Sequence, residues 1–212
     1  MYLKRTATKR IFDLVIATTG LVVVSPLLLV LAILIKLDSN GPVFYRGIRA
    51  GRLGKPFSIF KFRTMVHDPL QRVSAWTASD DPRITRFGAV LRRCKFDELP
   101  QLINVVRGEM SLVGPRPEVL DQVQCYTDEE RQLLIVRPGV TDWASAKFCQ
   151  EGDILRNSRD PVSYYENHIR PEKMRLGLDY VRNNSLWIDV RIIFHTLTRL
   201  VHEKQCVTSK MQ

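Results

Sequence analysis

The sequence predicts an α+β fold, mainly helical: an apolar N-terminal helix broken at a Ser-Pro pair, a small β-hairpin, and a helical domain with amphipathic helices. Three observations carry this expectation. Leu14 to Ile35 is a run of 22 residues without a charge. The stretch "GPVFYRGIRAGRLGKPFSIFKF" sets short aromatic and β-branched runs between Gly-rich basic turns, the pattern of paired strands. From Ile84 onward apolar residues recur at intervals of three and four, the helical period. The expected division is residues 1–40 for the apolar helix and its basic flank, and residues 41–212 for one domain with its own core.

The apolar run is long enough to cross a bilayer, for which about 20 residues suffice. Ser25-Pro26 stands at its midpoint, where proline removes a backbone donor and frees the carbonyl four residues earlier. Lys4, Arg5, Lys9 and Arg10 precede the run, and Lys36, Arg46, Arg49, Arg52, Lys55, Lys61 and Arg63 follow it. Short basic flanks stay in the cytoplasm, so both ends favour the same side. A kinked span and a helix that enters and returns both fit these residues. The length of the run and the absence of a small-residue cleavage site before Lys36 argue against a secretory signal peptide.

After the hairpin, "DPRITRFGAVLRRCKF" places Ile84, Phe87, Val90 and Leu91 on one helical face. A second helix is expected from Asp97, with Asp97 as its cap and Pro100 in its first turn. "SLVGPRPEV" holds Arg116 between two prolines on extended backbone. Helices are expected again over Val119 to Tyr126 and Asp128 to Val136, and "RPGVT" reads as a turn after Arg137. Two helices joined at Asn183-Asn184 close the chain. In the last, Trp187, Val190, Phe194, Leu197 and Val201 form an apolar face, and Arg191, His195, Arg199 and His202 a basic stripe. That face either lies in a membrane interface or covers the core.

The 32 lysines and arginines against 22 acids give a net charge of +10, which calls for an anionic partner. Beside an apolar helix, an acidic membrane surface or phosphorylated substrates fit better than nucleic acid, for which no motif is present. Cys94, Cys125, Cys149 and Cys206 show neither zinc-site nor disulfide spacing and read as reduced, structural residues.

Chemistry concentrates in "RRCKFDELPQL". Acids at a helix start are commonly mere caps, but Arg92, Arg93 and Lys95 precede Asp97 and Glu98, and prolines hold Arg116 and Arg137. Fixed cations keep a carboxylate ionised and can neutralise phosphates brought to it. Ionised acids beside phosphates also suggest Mg²⁺.

The succession "KRIFDL", "SP" within the apolar run, "GPVFYRGIRAGRLGKPFSIFKFRTM", "DPRITRFGAVLRR", "FDELPQLINVVRGEMSLVGPRPEV" and "RPGVTDWAS" closely resembles the monotopic phosphoglycosyl transferases among the bacterial sugar transferases. The resemblance runs from about Lys9 to Trp143. It implies transfer of a sugar phosphate from a UDP-sugar to polyprenyl phosphate at the cytoplasmic face of the inner membrane, with polyprenyl diphosphate sugar and UMP as products. It also implies a re-entrant apolar helix with both ends cytoplasmic, broken at Ser25 and Pro26. The family's acidic dyad falls on Asp97, the nucleophile, and Glu98, with Mg²⁺ held there. Its basic positions fall on Lys61, Arg63, Arg116 and Arg137, beside which Arg92 and Arg93 are candidate phosphate ligands. Expected partners are UDP-sugar, polyprenyl phosphate and inner-membrane lipids, with a homodimer as one candidate assembly and no nucleic acid. Asp142-Trp143-Ala144-Ser145 departs from the Gly-Trp-Ala-Gln of many members, which weakens any transfer of sugar identity. No further spanning helix precedes Met1, which reads as a small member of the family. The rival from another class is a membrane-anchored basic scaffold, and within enzymes, direct transfer without a covalent intermediate.

Overall fold

A computed structural model describes residues 2–66, 81–148, 151–156 and 158–209. The expectations for Cys149, and for the side chains of Lys4, Arg5, Val201, His202 and Cys206, lie outside what is described. Cys94 and Cys125 are free thiols.

The chain opens with α1 (Tyr2–Asp38), whose helical assignment continues through Pro26. Pro26 has no N–H for the Val22 carbonyl, and the Ser25 hydroxyl donates to that oxygen instead, at 2.8 Å. The Ser-Pro pair therefore supplies its own repair of the ladder, and the helix does not end there. Val22 and Val23, beside the pair, are 69% and 71% exposed. The two halves of α1 are anchored on either side of this point. Ala17 is fully buried in the main core, while Leu31 and Ile35 join a second core with Phe62 and Leu91. Both ends of the apolar helix are thus held by one folded body.

Strands β1 (Phe44–Ala50) and β2 (Pro56–Phe62) form the expected antiparallel hairpin, with Phe44 opposite Phe62 and Ala50 opposite Pro56. The turn between them needs left-handed backbone at Leu53 (φ 59°) and Gly54 (φ 74°). Alternation along β2 sends Phe57 and Ile59 into the main core and Phe62 towards α1. Helix α2 (Arg86–Arg93) is capped by Thr85, which accepts from the Gly88 amide. Leu91 is buried, but Val90 is half exposed, so the apolar face is narrower than its spacing suggests.

A 3₁₀ turn over Phe96–Glu98 leads into α3 (Gln101–Arg107). The fully buried Asn104 fastens α3 to the hairpin: it accepts from the Phe60 amide and donates to the Ser58 carbonyl and to Glu109. After the Gly108 cap (φ 82°), β3 (Ser111–Val113) pairs in parallel with β4 (Gly139–Thr141). The expected turn at "RPGVT" is therefore a strand in a second small sheet. Gly114 and Gly139 allow its backbones to meet, since a Cβ at Gly139 would lie 2.1 Å from the Gly114 nitrogen.

Helix α4 (Leu120–Gln124) matches expectation, whereas Glu130–Ile135 is a 3₁₀ helix, not an α-helix. Short helices α5 (Trp143–Lys147), α6 (Glu151–Arg156) and α7 (Pro161–Tyr164) lead through a π-turn into α8 (Arg170–Asn183) and α9 (Leu186–Ser209). On α9, Asp189 and Ile192 face inward. Trp187 and Phe194 are 76% and 68% exposed, so this face does not cover the core. A buried polar network ties the layers: Lys9 donates to Asp189 at 2.8 Å, Tyr180 to Asp189 at 2.7 Å, and Ser111 to Asp13 at 2.7 Å.

Arg63, just past β2, closes the far end of α1. Only 6% exposed, it donates to the carbonyls of Asn40 and Ser39, both at 2.6 Å, and of Ile35 at 3.3 Å. Arg63→Ala leaves three terminal carbonyls without this donor and should cost about 3 kcal/mol in thermal unfolding of the detergent-solubilised protein. Arg63→Lys, which keeps the charge but not the planar fork, should fall between the two.

Candidate functional site

The site is assembled from three places in the chain. The 3₁₀ turn presents Asp97 and Glu98. Strand alternation puts Lys61 on the face of β2 that carries Phe57 and Ile59, towards α3. The rigid Pro-Arg-Pro segment after β3 brings Arg116. Glu98 is the meeting point: Lys61 Nζ donates to its Oε1 at 2.7 Å, Arg116 Nη2 to the same oxygen at 2.5 Å, and Arg116 Nη1 to Oε2 at 3.4 Å. These two cations hold the Glu98 carboxyl well below the ordinary glutamate range against the opposing effect of burial. Arg116 is pushed up by Glu98. Burial pushes the Lys61 ammonium down, Arg116 adds to this, and Glu98 and Asp97 oppose it.

Asp97 stands differently. It is 9% exposed, and its Oδ1 is buried without a hydrogen-bond partner. Burial pushes its carboxyl up and the neighbouring Glu98 charge adds to this, while Lys61, Lys95 and Arg92 pull it down. One expectation is corrected here: Asp97 is not the cap of α3, a position taken by Pro100. Lys61 and Arg116 pair directly with Glu98 and not with Asp97. Lys95, two residues earlier, adopts left-handed backbone (φ 57°), an uncommon conformation for a residue with a Cβ.

Arg92 completes the cationic wall. Its Nε donates to the Thr64 hydroxyl at 2.8 Å, and its charge acts on Asp97. The other predicted cations lie elsewhere. Arg63 is the α1 clamp, and Arg93 is exposed on α2. Arg137 donates from Nε to the Gly108 carbonyl at 2.8 Å, at the opposite end of α3. Ser25 and Pro26 are on the exposed middle of α1. Glu118 and Asp142, not singled out as site residues, both act on Arg116. For Glu118 a signal was present: two residues beyond Arg116 on extended backbone, it falls on the same side of the chain.

Among the described residues no group of three or more His, Cys, Asp or Glu side chains could hold a metal ion. Mg²⁺ does not require one, since it keeps several waters and takes one or two carboxylates together with substrate phosphates. The partnerless Asp97 Oδ1 fits that role, and a cation there would relieve both the missing partner and the raised pKa. Glu98, already committed to Lys61 and Arg116, would serve beside it.

A buried carboxylate, a second carboxylate fixed by lysine and arginine, and a further arginine define a site suited to phosphate chemistry, set in a body that carries a helix apolar and long enough to cross a membrane. The chain belongs to the bacterial sugar transferase family, whose model matches residues 4–203. It is 39% identical over 201 residues to the UDP-glucose:undecaprenyl-phosphate glucose-1-phosphate transferase of Xanthomonas campestris pv. campestris, covering 92% of this chain. It is 36% identical over 198 residues to the UDP-N-acetylgalactosamine-undecaprenyl-phosphate N-acetylgalactosaminephosphotransferase of Aeromonas hydrophila, covering 91% of this chain. The matched segments are 39% and 43% of those two proteins. With the exopolysaccharide production protein PSS of Rhizobium leguminosarum bv. phaseoli the identity is 41% over 201 residues, 89% of this chain and 92% of that protein.

Glu98→Gln leaves Lys61 and Arg116 without their counter-charge and should cost about 2 kcal/mol at neutral pH, discounted because Arg116 is partly exposed. The folded pKa of Glu98 is depressed, so its contribution is full above the ordinary value of 4.5 and is lost as pH falls below it towards the folded value. Thermal unfolding of wild type and Glu98→Gln across pH should show their difference flat near neutrality and shrinking in acid.

Proposed function

We propose that this protein transfers a sugar 1-phosphate from a UDP-sugar to polyprenyl phosphate, giving polyprenyl diphosphate sugar and UMP. This is the initiating membrane step of a bacterial glycan such as an exopolysaccharide. The single observation that carries the reading is the buried, partnerless oxygen of Asp97 beside a Glu98 locked by Lys61 and Arg116. The names of the relatives support the class of reaction. They name different sugars, glucose and N-acetylgalactosamine, so the sugar is not carried over.

The reaction must join two anionic phosphates, one water-soluble and one held in lipid, and dividing it in two avoids holding both at once. A carboxylate oxygen of Asp97 attacks the sugar-bearing phosphorus of the UDP-sugar, the bond from that phosphorus to the bridging oxygen breaks, and UMP leaves with the electron pair. An oxygen of polyprenyl phosphate then attacks the same phosphorus, forming the diphosphate linkage and returning Asp97 as a carboxylate. Arg92 and Arg116 offset charge on the phosphoryl oxygens. Lys61 and Arg116 keep Glu98 in place, where it orients Arg116 towards the phosphate. Mg²⁺, held by Asp97 with Glu98 beside it, supplies neutralisation of phosphate charge when bound.

In this reading α1 re-enters at Ser25-Pro26 and returns to the cytoplasmic leaflet, and the exposed face of α9 lies in the interface. Support comes from the basic flanks, from the anchoring of both halves of α1 on one body, and from the exposure of Trp187 and Phe194.

Incubation with UDP-sugar and Mg²⁺ without lipid should release UMP and leave a phosphosugar on the peptide containing Asp97. Asp97→Asn should lower turnover by roughly a thousandfold or more. Retention of most activity, or kinetics that require both substrates bound together, would return the assignment to direct transfer.

For topology, a cysteine placed near the N-terminus should resist an impermeant reagent in intact cells and react after permeabilisation. Replacing Pro26 with leucine and Ser25 with alanine restores an ordinary helical ladder at this point and should make that cysteine reactive from outside. Labelling of the unaltered helix from outside would overturn the re-entrant reading.

A further inference from the structure

Three arginines gather at the end of α3 opposite the dyad. Arg10 donates from Nη1 to the Val105 carbonyl at 2.6 Å and from Nη2 to the Val106 carbonyl at 2.9 Å. Arg137 donates from Nε to the Gly108 carbonyl, two residues on from Val106, at 2.8 Å. A Cβ at Gly108 would stand 3.3 Å from Arg10 Nη2, so the two guanidinium groups share one small surface. Arg52 joins from the hairpin turn, donating from Nε to the Ile135 carbonyl at 2.9 Å, two residues before Arg137.

Among the described residues none of the three is in an ion pair. Arg52 and Arg137 each use only Nε, which leaves the paired Nη groups of both without a hydrogen-bond partner among the described residues. Their neighbours are cations: after burial, the charges of Arg10 and Arg52 are the main influences that push Arg137 down. The acid that opposes them, Asp13, is already held by Lys9 and Ser111. Three guanidinium groups converging with no carboxylate in direct ion pair among the described residues are stabilised by an anion from outside the chain.

The surroundings identify the kind of anion. Leu53, on left-handed backbone at the tip of the turn, is 66% exposed beside Arg52. Ile135 and Ile11 are exposed beside Arg137 and Arg10, and Ile11 opens the exposed apolar surface of α1. Arginines interleaved with outward apolar side chains suit the boundary where headgroup phosphates meet acyl chains. The ten residues from Glu98 to Gly108, largely helical, put this surface roughly 15 Å from the dyad, beyond the reach of a phosphate bound there.

We propose that Arg10, Arg52 and Arg137 form a second anion site, separate from the dyad, that binds the phosphodiester headgroup of an anionic membrane lipid.

The test titrates the full detergent-solubilised chain with short-chain phosphatidylglycerol, short-chain phosphatidylcholine and inorganic phosphate, reading binding by thermophoresis and folding by thermal unfolding. Wild type should bind phosphatidylglycerol in preference to both others. Arg52→Gln should weaken that binding about fivefold and Arg52→Gln/Arg137→Gln about thirtyfold. The charge-matched pair Arg159→Gln/Arg182→Gln, both exposed, should leave it within about twofold. Arg52 makes one hydrogen bond from an exposed position, so the single variant carries the test if the double variant does not fold. Equal binding of both lipids by wild type, undiminished binding by Arg52→Gln, or equal loss in the charge-matched pair would overturn the site. Inorganic phosphate binding as tightly as phosphatidylglycerol would overturn its assignment to lipid.

Discussion

The grip of Lys61 and Arg116 on Glu98 is the constraint around which the rest of the site is arranged. It joins three segments remote in sequence: the hairpin, the turn before α3, and the Pro-Arg-Pro segment after β3. Each cation reaches Glu98 for a local reason. Lys61 is placed by strand alternation, and Arg116 by prolines that restrict the backbone around it. Because Glu98 satisfies both cations, Asp97 is left next to strong positive charge without being neutralised by a direct ion pair. A paired aspartate would be ionised but occupied. A buried aspartate with a partnerless oxygen is available to a cation or to phosphorus.

The same strand connects this chemistry to the apolar helix. One residue separates Lys61, which faces the dyad, from Arg63, which closes the end of α1 by donating to its terminal carbonyls. At the other end of α1, Lys9 and Asp13 enter a buried network with Asp189, Ser111 and Tyr180. The helix is therefore fixed twice to one body, with the exposed Val22 and Val23 near Ser25-Pro26 between the anchors. The Ser25 hydroxyl bond to the carbonyl that Pro26 leaves free removes much of the cost of placing proline there. This matters most where no water can satisfy that oxygen.

What was legible in the sequence follows from length and period. The apolar run, the hairpin and the break at Asn183-Asn184 each repeat a signal over several residues, and all three are present. The strands Ser111–Val113 and Gly139–Thr141 are too short for a period and are specified by the close approach of Gly114 and Gly139, which depends on a distant partner. The dyad was legible by its residue types and setting, but its division of labour was not. Adjacent acids look equivalent in a sequence, and which one receives the cations depends on the 3₁₀ turn and on Lys61 arriving from another element. Arg63 and Arg137 share the charge that made them candidates, yet carbonyl oxygens at two different helix ends engage them.

The placement of these arginines also accounts for part of the net charge of +10. A single cationic basin would attract phosphates without separating a soluble substrate from lipid headgroups. Here α3 stands between two groups of cations. Lys61, Arg92 and Arg116 surround the carboxylates at its start, while Arg10 and Arg137 hold the carbonyls at its end. The acids Asp97 and Glu98 moderate the first group, and on the proposed mechanism a phosphate there meets both a counter-charge and a carboxylate that reacts with it. The acid that acts on Arg137 in the second group, Asp13, is already held by Lys9 and Ser111, so in the proposed scheme this group binds an anion without offering chemistry. One short helix thus stands between the cations proposed to attract lipid phosphate and the carboxylate proposed to react with substrate.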